Sequence, residues 1–133
     1  AGIYGFLFYK KSIFKITMNQ TIIETTCLMT MVSICKFSGG GMQFSKKGDP
    51  IDGLFDITIV KNITLLDLIL NIKKLYNGKI VAHPKVATYK TNKIIVDPQN
   101  SKPFIQADGE LIGTGTATFS LIEKGIHFVI ASD

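Results

Sequence analysis

Apolar and polar positions alternate with a period of two residues along most of the chain. In "IFKITM", Phe14, Ile16 and Met18 alternate with Lys15 and Thr17, which predicts a half-buried strand. Other β-branched and apolar segments recur at spacings of roughly 8–12 residues, as the strands of an all-β domain do. They are residues 22–37 and 54–60, "VATYK", "KIIVD", "PFIQAD", "TGTATFSLI" and "IHFVI". The segments between them are rich in Gly, Pro, Asn and Asp, as turns are. The pattern predicts a mainly β protein, an antiparallel β-sandwich.

One segment, "TLLDLILNIKKLY", follows the 3.6-residue period of a helix instead. Thr64 and Asp67 have the spacing of a capping box at its start, and Gly78 is a stop signal at its end. The sequence therefore predicts one amphipathic helix that covers the sheets. The apolar positions predicted to face the core are Leu65, Leu68, Ile69, Ile72 and Leu75.

The length of 133 residues suits one domain. The first residue is Ala and the opening segment "AGIYGFLFY" is apolar, so residues 1–12 are predicted to be the remnant of a linker or helix from a preceding domain. Residues 13–133 are predicted to be the β-sandwich. No apolar run reaches the roughly 18–20 residues that span a bilayer, and no secretory signal pattern is visible, because the lysines of "AGIYGFLFYKK" follow the apolar run.

Charge and cysteine usage argue against nucleic-acid binding and against a zinc site. The net charge is +5, but the lysines are scattered and no Arg-rich stripe occurs, so nucleic acid is not expected as a partner. Cys27 and Cys35 match no zinc pattern, and we expect both to be reduced core residues, as in intracellular proteins. His83 and His127 are expected to be structural or surface residues.

Three segments could carry chemistry. The glycines of "GGGM" (39–42) indicate either a tight bend or the close approach of a neighbouring segment, without the Lys of a phosphate-binding loop. In "GDPIDGLFD", Asp49 and Asp52 lie in a loop, where they could bind Mg²⁺ or Ca²⁺ or simply form Asx turns. In "ADGEL" the Asp-Gly pair suits a hairpin turn, but Glu110 could also project into a cleft and accept a proton.

The order of these segments is more informative than each alone. "GGGM", "DGLFD", a helix that ends in Gly, a His-Pro and a late "ADGE" together resemble the C-terminal domain of bacterial diacylglycerol-kinase-like lipid kinases, which are also similar to sphingosine kinases. The resemblance runs from about Phe14 to Ile130. Many members have Pro and Ala where this chain has Lys46 and Gly48.

This resemblance implies a two-domain enzyme that transfers the γ-phosphate of ATP to the hydroxyl of a lipid such as diacylglycerol. By position, Glu110 matches the proton acceptor, with Asp108 beside it. Asp52, with Asp49 and the carbonyl of Leu54, matches a structural Mg²⁺ site. ATP would bind mostly through an N-terminal domain whose Gly-Gly-Asp-Gly-Thr motif is not in this chain. The isolated chain is therefore expected to be inactive.

The implied partners are the lipid substrate, the protein's own N-terminal nucleotide-binding domain and a membrane surface, with homodimerisation possible. The implied location is the cytoplasm, with peripheral membrane association. Two other functions remain open at this stage. One is a non-catalytic β-sandwich that binds lipid or a membrane surface, and the other is a kinase of a soluble alcohol such as NAD.

Overall fold

Antiparallel strands dominate the fold. The computed structural model describes residues 12–38, 40–45 and 48–125. In this part of the chain the strands are β1 (Ser12–Met18), β2 (Thr21–Ser33), β3 (Phe37–Ser38), β4 (Met42–Gln43), β5 (Phe55–Lys61), β6 (Val86–Thr91), β7 (Lys93–Pro98), β8 (Phe104–Ala107), β9 (Glu110–Thr114) and β10 (Ala117–Ser120). Six of them form one sheet in the order β10-β7-β1-β2-β5-β6, and every neighbouring pair is antiparallel. The predicted mainly β, sandwich-like class is confirmed.

The six-stranded sheet curves around its main core. Every second residue of β1, β5 and β7 is buried in one cluster, together with Cys27 of β2. Tyr89 of edge strand β6 and Phe119 of edge strand β10 pack against the same cluster, although four strands separate β6 from β10. A flat sheet could not bring both edges to one cluster, because neighbouring strands lie about 4.8 Å apart. The curvature therefore gives a single sheet the layered core of a sandwich.

A second, smaller core covers the outer face of β5 and its neighbours. Its buried members are Phe44, Val60, Ile63, Ile80 and Val86. Leu75, Val81 and Met42 pack against it from the helical segments and from β4. Strand β5 is consequently buried on both faces from Phe55 to Val60, and this explains its nearly continuous run of apolar and β-branched residues.

The helical region begins and ends where the sequence predicts. The Thr64 N–H donates to Asp67 Oδ2 (3.2 Å) and the Asp67 N–H donates to Thr64 Oγ1 (3.1 Å), so the capping box is confirmed. Gly78 has a φ of 71° and ends the helix in the left-handed conformation. Between them lie two short helices, α1 (Leu65–Leu70) and α2 (Ile72–Tyr76), followed by a 3₁₀ turn at Lys79–Ala82.

The predicted core-facing side of this helix is partly wrong. Leu75 packs against the second core, but Ile69 and Ile72 are 55% and 53% exposed. Asn71 is buried instead, and its side-chain amide donates to the Asp67 carbonyl (2.7 Å). The segment is apolar on nearly all sides, so periodicity could not decide which side faces inward. The side chains of residues 65 and 68 lie outside the described part of the structure.

The stretch 22–37, predicted to be two strands or one bent strand, forms the long strand β2, with an irregularity between Cys27 and Met29, and then the two-residue β3. Cys27 is a buried thiol as predicted, but Cys35 is exposed in the bend that follows β2, so its assignment to the core is wrong. Residues 1–11, "IHFVI" and His127 lie outside the described ranges, and the division at residue 12 stays a prediction. No helix in the described ranges is long and apolar enough to cross a bilayer.

Candidate functional site

The "ADGEL" segment forms a tight hairpin between β8 and β9. Asp108 and Gly109 occupy its two turn positions with φ values of 49° and 87°, the left-handed conformations that a type I′ turn requires. Glu110 is the first residue of β9 and pairs with Ala107 across the hairpin. The hairpin interpretation of Asp-Gly is confirmed. Residues 110–113, which fall between the predicted strands, form most of β9.

Glu110 is exposed at the end of this hairpin. Within the described residues its carboxylate makes no hydrogen bond or ion pair, so both oxygens can accept a proton or a donor from another molecule. The same hairpin exposes large apolar side chains at Phe104, Leu111 and Ile112. The hairpin therefore presents a carboxylate beside an apolar surface.

The loop at residues 49–54 is built from two Asx turns. Asp49 Oδ1 accepts from the Ile51 N–H (3.0 Å), and Asp52 Oδ1 accepts from the Leu54 N–H (2.9 Å). The Asp52 N–H donates to the Asp49 carbonyl (3.4 Å), and Gly53 has a φ of 70°. The sequence-based alternative of Asx turns is thus confirmed, and the turns hold Asp49, Asp52 and Leu54 in one short loop.

Lys90 was missed by the sequence analysis and is the partner of this loop. Its Nζ lies 2.5 Å from Asp52 Oδ2 and 3.7 Å from Asp56 Oδ1. The Lys90 ammonium, and after it the Leu54 N–H, lower the pKa of Asp52, while Asp52 raises the pKa of Lys90. The sequence carried only an indirect signal for the position of Lys90, because the register of β5 with β6 is what places it directly opposite Asp56.

The acidic side of this ion pair is not fully satisfied. Asp56 Oδ2 is buried and has no hydrogen-bond partner in the described structure. Asp56 and Lys90 also line a cleft of about 310 Å³, together with Phe44, Tyr89 and Val81. The cluster therefore contains one ammonium group, that of Lys90, and two carboxylates, those of Asp52 and Asp56. One oxygen of the Asp56 carboxylate has no hydrogen-bond partner among the described residues.

This donor set suits a magnesium ion in its chemistry. Mg²⁺ usually takes one or two carboxylates, completed by carbonyls and waters. Among the described residues no three acidic, His or Cys side chains converge to hold a metal alone, so an ion here would need backbone carbonyls and water. Asp49, Asp52 and the Leu54 carbonyl offer such hard oxygens. A cation at Asp52 would take the place that the Lys90 ammonium holds.

The glycines have different roles from each other. Gly40 and Gly41 have φ values of 76° and 94° in the turn between β3 and β4, and a Cβ on either would meet nothing within 4 Å. They therefore serve the bend, one of the two predicted alternatives. Gly48 makes the close approach instead, because a Cβ there would lie 2.4 Å from the Lys36 backbone N. Gly39 lies outside the described ranges.

The structure thus groups the predicted site residues in two places. Asp108 and Glu110 share the β8–β9 hairpin, and Asp49, Asp52 and Leu54 share the loop before β5. No hydrogen bond or ion pair joins hairpin and loop within the residues that the structure describes. If they serve one reaction, they would contribute from separate positions on the domain.

Comparison with known proteins agrees with this fold. The chain is similar to three solved structures from Bacillus anthracis str. Sterne. One is described as a diacylglycerol kinase, with 17% identity and a TM-score of 0.62 over 89% of this chain and 42% of that chain. A second, described as a putative diacylglycerol kinase, has 20% identity and a TM-score of 0.61 over 84% of this chain and 37% of that chain. A third, also described as putative, has 21% identity and a TM-score of 0.67 over 91% of this chain and 41% of that chain. This chain therefore spans about two fifths of their length. No curated protein matches it.

A family model gives the more specific result. The model described as "YegS C-terminal NAD kinase beta sandwich-like domain" matches residues 1–129, nearly the whole chain. The matched stretch contains the Asx-turn loop, the capped helical region and the Asp-Gly hairpin whose order carried the resemblance. The chain belongs to this family, and it is a C-terminal domain of the type found in diacylglycerol-kinase-like lipid kinases.

Proposed function

We propose that this chain is the acceptor-side part of an ATP-dependent lipid kinase that phosphorylates a lipid hydroxyl, such as that of diacylglycerol. Family membership and the fold support the kinase assignment. The apolar side chains that Phe104, Leu111 and Ile112 expose on the hairpin of Glu110 favour a lipid acceptor over a soluble alcohol such as NAD.

Glu110 is the proposed general base. Its carboxylate would accept the proton of the lipid hydroxyl while the hydroxyl oxygen bonds to the γ-phosphorus of ATP and ADP departs. The observation that carries this role is the exposure of Glu110 at the start of β9 without a described partner. Asp108, in a left-handed turn position two residues before Glu110, would fix the turn and add negative charge near the base.

The nucleotide would be bound mostly by other parts of the protein. Phosphoryl transfer depends chiefly on positioning the phosphates and neutralising their charge. This chain carries no Gly-Gly-Asp-Gly-Thr segment and spans about two fifths of the structures it resembles. The complete active site would then lie between Glu110 and a preceding nucleotide-binding domain.

Glu110→Gln in the longer protein that includes this chain tests the function. Gln keeps the size of the side chain but cannot take the proton, so kcat for a diacylglycerol substrate should fall by about 10²–10⁴-fold. Glu24→Gln, at an exposed site on β2, is the matched control and should leave kcat unchanged. Near-normal turnover by Glu110→Gln would refute the role. A soluble alcohol phosphorylated faster than any lipid in the same assay would refute the acceptor class.

Asp52, with Asp49 and the Leu54 carbonyl, is the proposed Mg²⁺ site. A cation there would supply positive charge that fixes the loop. Thermal unfolding of this chain during a Mg²⁺ titration tests the site without any activity. We expect the melting temperature to rise with Mg²⁺ in the unmodified chain and to lose that response in Asp52→Asn.

Lys90→Gln provides the converse measurement. Since the Lys90 ammonium competes for Asp52 Oδ2, its removal should lower the Mg²⁺ concentration needed for the same shift. An identical Mg²⁺ response in the unmodified chain and in Asp52→Asn would rule out Asp52 as a ligand.

A further inference from the structure

Asp56 is a buried carboxylate outside the set of residues that the family resemblance implies. It lies on β5, is only 9% exposed, and its Oδ2 has no hydrogen-bond partner among the described residues. Its Oδ1 lies 3.7 Å from the Lys90 ammonium, which is beyond hydrogen-bond range. A buried carboxylate without donors is costly, so its presence here indicates that a further donor or a cation binds beside it.

The Lys90 ammonium marks the place where such a cation would lie. Its Nζ is close to two carboxylates, 2.5 Å from Asp52 Oδ2 and 3.7 Å from Asp56 Oδ1. The pKa of Lys90 is raised, first by the hydrogen bond to Asp52, and the charges of Asp56 and Asp49 raise it further. Three carboxylates thus act on one ammonium, and the group remains negatively charged although Lys90 is present.

A second lysine–aspartate pair shows what is particular to this group. Lys85 Nζ also lies 2.5 Å from a carboxylate, that of Asp67, which accepts from the Thr64 N–H as well. Among the described residues, Lys85 has no second carboxylate within 4 Å, and no buried oxygen of Asp67 lacks a partner. The Lys85 pair is therefore balanced in charge and hydrogen bonding, whereas the group around Lys90 is not.

The cleft beside this group has room for a hydrated ion. Its volume is about 310 Å³, and Asp56 and Lys90 line it together with Thr58 and Thr88. A water occupies about 30 Å³ in the liquid, so several waters fit. Mg²⁺ is usually bound by one or two carboxylates and keeps several waters. The Lys90 side chain is 37% exposed on a flexible stem, so its ammonium can move into solvent.

We propose that Asp56 is the second carboxylate of the cation site at Asp52, and that Mg²⁺ enters this site by displacing the Lys90 ammonium. Without the ion, Lys90 joins the loop at residues 49–54 to β5. With the ion bound, Mg²⁺ makes that connection and the ammonium is released to solvent. The inference rests on the proposed Mg²⁺ site, and it adds to that site a ligand on the sheet and an internal competitor.

Side-chain NMR of the lysines during a Mg²⁺ titration tests the displacement in the unmodified chain. The Cε–Hε signal of Lys90 should move toward that of a free lysine, because Mg²⁺ takes its carboxylate partners. The signal of Lys85 is the internal control and should stay in place. A fixed Lys90 signal at Mg²⁺ concentrations that saturate the melting temperature would overturn the proposal. An equal movement in NaCl of the same ionic strength would also overturn it, because screening alone would then explain the change.

A double-mutant cycle tests Asp56 as a ligand, with Mg²⁺ affinity measured by isothermal titration calorimetry. Asp56→Asn keeps the shape of the side chain but removes its charge, so Mg²⁺ affinity should fall by about tenfold or more. The same loss should persist in the Lys90→Gln background, where Asp56 has lost its ion-pair partner. If Asp56 acted only by positioning Lys90, the loss would vanish in that background. Asp67→Asn is the matched control and should leave Mg²⁺ affinity unchanged.

The outcomes separate this inference from the Mg²⁺ site and from the kinase assignment. Loss of Mg²⁺ binding in Asp52→Asn with normal binding in Asp56→Asn would overturn the role of Asp56 and leave the site at Asp52. Absence of Mg²⁺ binding in the unmodified chain would overturn both. The NMR titration needs no variant, so it is decisive even if Asp56→Asn does not fold. The Glu110→Gln assay is independent of these measurements, so the kinase assignment and the displacement of Lys90 can fail separately.

Discussion

Gly48 is the residue whose small size the fold most clearly requires. A Cβ at this position would lie 2.4 Å from the Lys36 backbone N and 2.6 Å from the Cys35 carbonyl carbon. Both neighbours are backbone atoms that cannot rotate away. The glycine therefore lets the segment before the Asp49–Leu54 loop cross directly over the bend after β2.

Gly48→Ala should consequently destabilise the domain. Overpacking of this kind costs about 1–3 kcal/mol, because the backbone must shift to admit the methyl group. Chemical denaturation followed by circular dichroism measures the change. Gly113→Ala is the control, since a Cβ there meets nothing within 4 Å and its φ needs no glycine. Equal stability of Gly48→Ala and the unmodified chain would show that this contact is not formed.

At the scale of elements, the start of α1 is held by one carboxylate with several partners. Asp67 Oδ2 accepts from Lys85 Nζ, and Asp67 also completes the capping box with Thr64. The Lys85 contact first, and then Thr64, lower the pKa of Asp67 to about 2. Because the folded pKa lies below the ordinary value of 3.8, this carboxylate stabilises the fold above that value and loses the effect as pH falls toward 2.

The expected result is a pH-dependent difference between variants. Between about pH 4 and pH 2 the unmodified chain should lose stability more steeply than Asp67→Asn, which has no proton to bind. Lys85→Gln should flatten the profile as well, because it removes the main cause of the pKa shift. Melting temperatures measured across this range test the sign. Parallel profiles for all three proteins would contradict the role of Asp67.

Elements that depend on local chemistry were predictable. The Asp-Gly hairpin, the capping box and the glycine stop each follow from residues only a few positions apart, and all three are formed. The side of the helical region that faces the core was not predictable, because the helices carry apolar residues on nearly all sides. Only tertiary packing decides that Asn71 is buried and that Leu75 packs against the second core. The Asp52–Lys90 ion pair could not be predicted for a related reason. Its two residues are 38 positions apart in the sequence, and only the register of β5 with β6 brings them together.

At the scale of the whole molecule, the curvature of the sheet brings distant segments together. A Cβ on Gly53, just before β5, would lie 3.1 Å from Glu123 Oε1, just after β10, although three strands separate β5 from β10. Period-two patterning predicted strands and hence the class of fold, but it carries no information on curvature. The loop proposed for Mg²⁺ thus lies close to the turn that follows β10.

Among the residues that the structure describes, the β8–β9 hairpin shares no strand pairing with the six-stranded sheet. Its attachment includes the hydrogen bond from the Gly115 N–H to the Pro103 carbonyl (3.0 Å) at its base. A two-stranded ribbon is only marginally stable by itself, so its exact angle depends on whatever packs upon it. We therefore expect a neighbour that docks on the hairpin bearing Glu110 to change the angle of this hairpin without breaking any strand pairing of the six-stranded sheet.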